Sequence, residues 1–186
     1  MKMIGNIEFI TESYGGKAAF LRYLVDAVRG VGGRYTSYTV MPKEVGRLVF
    51  VCKGNICRSA ISSVLARNLG GFDVASFGID TETGKEANKR ISEICLEMGV
   101  DLSAHRATSM KAFVPRAGDI YFCYEPAHCE ILKASGFDSI VLFGGMERPK
   151  KYYIHDPYAA HFSYAKYISQ YIIRTTTSIV MELQSK

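Results

Sequence analysis

The sequence predicts an α/β fold with a parallel sheet and helices on both faces. Two observations carry this. After residue 46, apolar runs of strand length alternate with segments of helical periodicity. The first run, "RLVFVC" at 47–52, is apolar throughout, as a strand buried on both faces must be.

The elements follow in order. "RLVFVC" reads as the first strand. "RSAISSVLARNLGG" (58–71) reads as a helix on Ile61, Val64, Leu65 and Leu69, stopped by Gly70 and Gly71. "FDVASFG" (72–78) is a second strand. "EANKRISEICLEMGV" (86–100) is an amphipathic helix on Ile91, Ile94, Cys95 and Met98. "GDIYFCY" (118–124) and "DSIVLFG" (138–144) complete four strands, with a helix around "PAHCEILKAS" between them. A long helix from Phe162 to Leu183 closes a single three-layer domain over 46–186. Residues 1–45 read as an N-terminal extension. Within it, 17–30 forms an amphipathic helix with Ala18, Leu21, Leu24, Val25 and Val28 on one side. That side is expected to pack on the domain; a sharper reading makes it a docking face. A glycine-containing linker follows.

Composition narrows the class. Among 186 residues 48% are hydrophobic and 22% charged, with a net charge of +5 and no basic run. Nucleic acid is therefore not an expected partner. No stretch approaches the ~20 apolar residues of a span, so stable membrane insertion is not expected. The opening "MKMIGNIEFITESYGG" lacks a signal-peptide core, and a cytoplasmic protein is the expectation. Five cysteines, an odd number without a Cys-x-x-Cys pair or zinc spacing, argue against a disulfide framework or a structural metal. No cofactor is expected.

The chemistry concentrates in "VFVCKGNICRSA" (49–60). Ligands of parallel sheets sit beyond the carboxyl ends of the strands, where Cys52 falls. A loop between a strand and a helix start aims backbone N–H groups at one point and makes an anion site. Gly54 is expected to supply an unusual backbone conformation there, and Asn55 tolerates the left-handed region. Arg58 offers a planar fork to two phosphate oxygens. A helix N-terminus and a nearby cation favour a thiolate, and Ser59 can donate to the Cys52 sulfur. An aryl-oxide leaving group needs a proton, and Asp156 in "YYIHDPYAAH", stiffened by Pro157, is the candidate acid.

With Cys52-x-Gly54-Asn55-x-Cys57-Arg58-Ser59, "HRA" at 105–107 and "HDPY" at 155–158, residues 46–186 resemble the low-molecular-weight protein tyrosine phosphatase family, in its bacterial form with an N-terminal extension. The resemblance implies a four-stranded parallel sheet and metal-free hydrolysis through a cysteinyl-phosphate. It makes Cys52 the nucleophile and Asp156 the acid and then base. Arg58 and the loop Lys53, Gly54, Asn55, Ile56, Cys57 and Ser59 become the phosphate cradle. Asn55, Ser59 and His105 brace the loop, Tyr158 walls the cleft, and Cys57 is a candidate redox partner of Cys52. The expected partner is a phosphotyrosine-bearing protein. Bacterial members often oppose a tyrosine autokinase in polysaccharide export, and the resemblance carries that expectation here.

The sequence departs from the family in places. Ala60 replaces a proline, Ser62 and Ser63 stand where a glutamate is usual, and Glu125 and His128 replace an aspartate and an asparagine. Two other functions stay open at this point. Cys123 and Cys129 would serve a thioredoxin-coupled arsenate reductase, and a non-catalytic phosphotyrosine-binding module would need only the loop. A chain lacking residues 1–45 is expected to keep turnover on a small aryl phosphate.

Overall fold

The computed structural model describes residues 2–42 and 44–185, with side chains from Glu8 onward. Four parallel strands form one sheet: β1 (Arg47–Cys52), β2 (Asp73–Gly78), β3 (Asp119–Cys123) and β4 (Ile140–Leu142). Their order is β2-β1-β3-β4. Strand β1 therefore pairs on both sides, Cys52 opposite Gly78 and Val51 opposite Cys123.

The period-2 alternation of β1 sorts its side chains between two cores. Leu48 and Phe50 join one layer with Ile61, Ile91, Ile94 and Ile168, under α3 (Arg58–Leu69), α4 (Lys89–Glu97) and α6 (Phe162–Gln184). Val49 and Val51 join the other with Phe77, Tyr121 and Leu132, under α5 (Pro126–Ala134). All six residues of β1 are buried, as its apolar run requires.

Element boundaries differ from the predicted ones for local reasons. The helix predicted over 86–100 starts after Asn88, whose Oδ1 accepts from Ile91 N at 3.2 Å, and ends before Gly99 at φ 80°. The strand predicted over 138–144 shrinks to three residues. Ser139 sits at φ 51°, outside extended geometry, and Phe143 opens a 3-10 turn.

The N-terminal segment holds more structure than its sequence suggests. Helix α1 (Lys2–Tyr14) precedes α2 (Lys17–Val31), joined by Gly15 and Gly16 at φ 83° and 122°. Helix α1 packs against α6. The predicted apolar side of α2 does not pack: Leu21, Leu24, Val25 and Val28 are exposed, Val28 by 73%. The packed side carries buried Ala19, half-buried Tyr23, and Asp26, which accepts from Tyr35 Oη at 2.6 Å. Small residues there allow the helix to approach closely, which hydrophobic periodicity alone does not register. The stretch read as a linker contains a 3-10 turn (Thr36–Tyr38) and buries Tyr35 and Tyr38 in the second core.

Candidate active site

Cys52 ends the inner strand β1, and its side chain is buried. Residues 53–57 then turn into α3, whose first-turn N–H groups face the loop. The unusual backbone assigned to Gly54 falls instead on Asn55, at φ 52°. A Cβ on Gly54 would meet only Ile56, at an ordinary 3.4 Å. Three hydrogen bonds hold the Asn55 side chain and carbonyl. Its Nδ2 donates to Ser59 Oγ at 2.9 Å, its Oδ1 accepts from Thr108 N at 2.9 Å, and its carbonyl accepts from His105 Nε2 at 2.7 Å. Burial lowers the His105 pKa, which keeps the ring neutral with its proton toward that carbonyl. The glycine the loop does require lies on β2: a Cβ on Gly78 would stand 2.9 Å from the Lys53 carbonyl oxygen.

Two groups converge on the Cys52 sulfur. Asn55 N donates to Sγ at 3.3 Å, and Ser59 Oγ lies 3.0 Å away. Because Ser59 Oγ already accepts from Asn55, its own proton is free to point at the sulfur.

Arg58 is fully buried, with its guanidinium turned toward the cleft. Nη1 donates to the Ile154 carbonyl at 2.8 Å and to Glu125 Oε1; Nη2 donates to Asp156 Oδ2 at 2.8 Å. Nε finds no acceptor among the described residues. Burial disfavours the Arg58 charge, but Asp156 and Glu125 outweigh it and raise the pKa. Burial pushes Glu125 up, and Arg58 and then His128 more than reverse that. Burial and the Arg58 charge depress His128 to about 4, so its ring is neutral near pH 7.

These groups line a cleft of about 470 Å³ at the carboxyl end of the sheet. Cys52, Gly54, Ile56, Cys57 and Arg58 line its loop side, and Asp156 and exposed Tyr158 the facing wall. Lys53 stands at the rim, 3.9 Å from Asp80. Asp156 accepts from Tyr158 N at 3.1 Å, fixing the turn that carries it. Cys57 is buried, which pushes its thiol pKa up, as do Asp156 and Cys52.

The structure thus brings Cys52, Arg58, Asp156, Asn55, Ser59, His105 and Tyr158 around one centre. Sequence reasoning missed the part played by Glu125, noted there only as a departure. Its signal is positional: Glu125 follows the end of β3, the strand beside β1, where side chains face the cleft. It also missed Arg22, which α2 delivers to the same cleft. The serines that replace the family glutamate have partners of their own: Ser62 Oγ accepts from Tyr124 Oη at 2.6 Å and from Thr176 Oγ1 at 2.8 Å.

The family model for low molecular weight phosphotyrosine protein phosphatases matches residues 47–186. The chain belongs to that family and is a phosphatase of its class. It is 32% identical over 115 residues to the probable low molecular weight protein-tyrosine-phosphatase EpsP of Ralstonia solanacearum, covering 60% of this chain and 77% of that protein. It is 37% identical over 67 residues to a protein-arginine-phosphatase of Geobacillus stearothermophilus, covering 35% of this chain and 45% of that one. The crystal structure of the Erwinia amylovora tyrosine phosphatase AmsI superposes with a TM-score of 0.65 at 25% identity, over 74% of this chain and 93% of that one.

Proposed function

We propose that the chain removes phosphate from phosphotyrosine in proteins, with Cys52 as nucleophile, Arg58 and the 53–59 loop as phosphate cradle, and Asp156 as acid and base. The convergence of Ser59 and Asn55 N–H on the Cys52 sulfur, beside Arg58 and Asp156, carries this reading. The Cys52 thiolate attacks phosphorus and forms the S–P bond as the P–O bond to the ring breaks. Asp156 gives its proton to the departing aryl oxide. The resulting carboxylate then takes a proton from water, whose oxygen attacks the cysteinyl-phosphate and releases phosphate and the thiolate. Arg58 Nε, unpaired among the described residues, and the second N–H of Nη2 are the donors left for phosphate oxygens.

An aryl phosphate is favoured over a guanidino phosphate because Ile56 and Tyr158 offer the leaving group apolar surface. Arsenate reduction is disfavoured by the placement of Cys123 and Cys129. Both are fully buried, and burial with the Cys129 neighbour pushes the Cys123 pKa well up. A mere binding module would not need Asp156 against Arg58. We place the activity in the cytoplasm, where Cys52 stays reduced, and a tyrosine autokinase of polysaccharide export among its substrates. The phosphatase unit is set at residues 46–186 and the extension at 1–45. No helix among the described residues is long and apolar enough to cross a membrane.

The test is turnover of p-nitrophenyl phosphate in the presence of a chelator. Cys52→Ser is expected to abolish turnover while retaining vanadate binding. A folded parent without turnover overturns the proposal. Release of phosphate from phosphoarginine peptides in preference to phosphotyrosine peptides overturns the substrate assignment.

A further inference from the structure

The segment leading to Asp156 is gripped from two directions. Arg90 of α4 holds its far side, donating from Nη2 to the Pro157 carbonyl at 2.7 Å and the Tyr158 carbonyl at 3.0 Å. The near side rests on the N-terminal segment. Lys150 Nζ donates to Thr39 Oγ1 at 3.2 Å. The Tyr152 ring lies 5.6 Å from the Tyr35 ring, and it fits only because residue 30 is glycine: a Cβ there would fall 2.1 Å from the ring. His155 packs on Gly15 in the α1–α2 turn, where a Cβ would fall 2.5 Å from the imidazole.

Between these contacts, Arg22 reaches into the cleft that Tyr153, His155 and Asp156 also line. Arg22 and Tyr153 face each other across this cleft, and the tyrosine raises the Arg22 pKa. The Tyr153 hydroxyl is hydrogen-bonded to His155 Nδ1, 2.9 Å away. His155 directly precedes Asp156. A chain of contacts thus runs from α2 to the residue beside the carboxylate.

We infer that the α1–α2 hairpin and its following turn are a positioning element for Asp156, with Arg22 as their point of action at the cleft. This rests on the proposal that Asp156 is the acid. In residues 144–156, which approach the carboxylate, Ile154 N donates to Tyr124 O, the Ile154 carbonyl accepts from Arg58 at 2.8 Å and the His155 carbonyl accepts from Tyr164 Oη at 3.2 Å, while the bond from Lys151 N to Gly144 O stays within the segment. The hairpin and its following turn add restraint at 150, 152 and 155, and bring Arg22 to the cleft beside 153. Residues 1–45 then contribute to catalysis, contrary to the expectation that they are dispensable for it.

A misplaced acid penalises poor leaving groups most, since only these need the proton in the transition state. The readout is the ratio of kcat/KM for dinitrophenyl phosphate to that for phenyl phosphate, measured on the full chain. Asp156→Asn should raise this ratio by about 100-fold or more. Arg22→Ala and Gly30→Ala should each raise it by about tenfold, and Arg22→Lys by less. Gly32→Ala, whose Cβ meets only backbone at 3.5 Å, should leave it unchanged. Should Gly30→Ala fail to fold, the exposed Arg22 decides through its two variants. If Asp156→Asn raises the ratio while the Arg22 variants do not, the positioning role is overturned. An equal fall on both substrates counts the same way, because it marks lost stability alone. If Asp156→Asn leaves the ratio unchanged, Asp156 is not the acid and the failure lies in the proposed function.

Discussion

Ser59 Oγ lies 3.0 Å from Cys52 Sγ and accepts from Asn55 Nδ2 at 2.9 Å, which leaves the serine proton free to point at the sulfur. In the proposed mechanism the sulfur is charged when it attacks and again when it departs, and this donor would act on both events. A hydrogen bond to a charged group contributes about 1.5–3 kcal/mol, so Ser59→Ala should lower kcat by about 10- to 100-fold. Steady-state turnover of p-nitrophenyl phosphate checks this. A change below about twofold would show that the hydroxyl does not serve the sulfur.

Arg58→Lys keeps the charge and loses the fork. The guanidinium meets Glu125, the Ile154 carbonyl and Asp156 at once, which one ammonium cannot reproduce. Turnover should fall by about 10²–10³, comparable to removal of a donor from an oxyanion site. Arg58 is buried between two carboxylates, so a melting curve should accompany the kinetics to separate misfolding from lost chemistry.

Acid should weaken the fold through His128. Its pKa falls from 6.5 in the unfolded chain to about 4 in the fold, so between those values the unfolded chain binds the extra proton. The stabilisation is complete above pH 6.5 and is lost as pH falls toward 4. The difference corresponds to about 3 kcal/mol at most. Burial lowers His105 and His155 too, in the same sense. Urea unfolding of the parent and of His128→Asn at pH 4.5 and 7.5 should show a smaller pH difference in the variant.

The two sides of α2 should respond oppositely to substitution. Val28 is 73% exposed, and Val28→Ser should change stability by less than about 0.5 kcal/mol. Ala19 is 3% exposed, and Ala19→Leu should cost about 1–3 kcal/mol by overpacking. Equal costs at both positions would contradict the observed rotation of the helix.

The arrangement of the cleft was legible because it depends on local order: a buried strand, a short loop and a helix start put Cys52, Asn55, Arg58 and Ser59 together within eight residues. Asp156 was legible through its stiff Pro157 neighbour. The pairing of Glu125 with Arg58 was not, since it spans 67 residues and depends on β3 lying next to β1. Gly54 misled because glycine is the usual residue for a positive φ, whereas Asn55 reaches that region with its side chain paired on both ends. The packed face of α2 was misjudged for a related reason. Glycine and alanine carry little hydrophobic signal, yet Gly30 and Ala19 set which side can come close.

The burial of the cysteines has a practical consequence. Cys95, Cys123 and Cys129 are 0% exposed and lie away from the loop, while Cys52 opens on the cleft. A small alkylating reagent should therefore modify the folded chain at the cleft first. The three enclosed thiols should react only when the surrounding core opens, so their modification rate reports how often it does so. With Cys52 occupied by vanadate, the same reaction becomes a clock for the scaffold alone, and a variant's effect on breathing can be timed separately from its effect on catalysis.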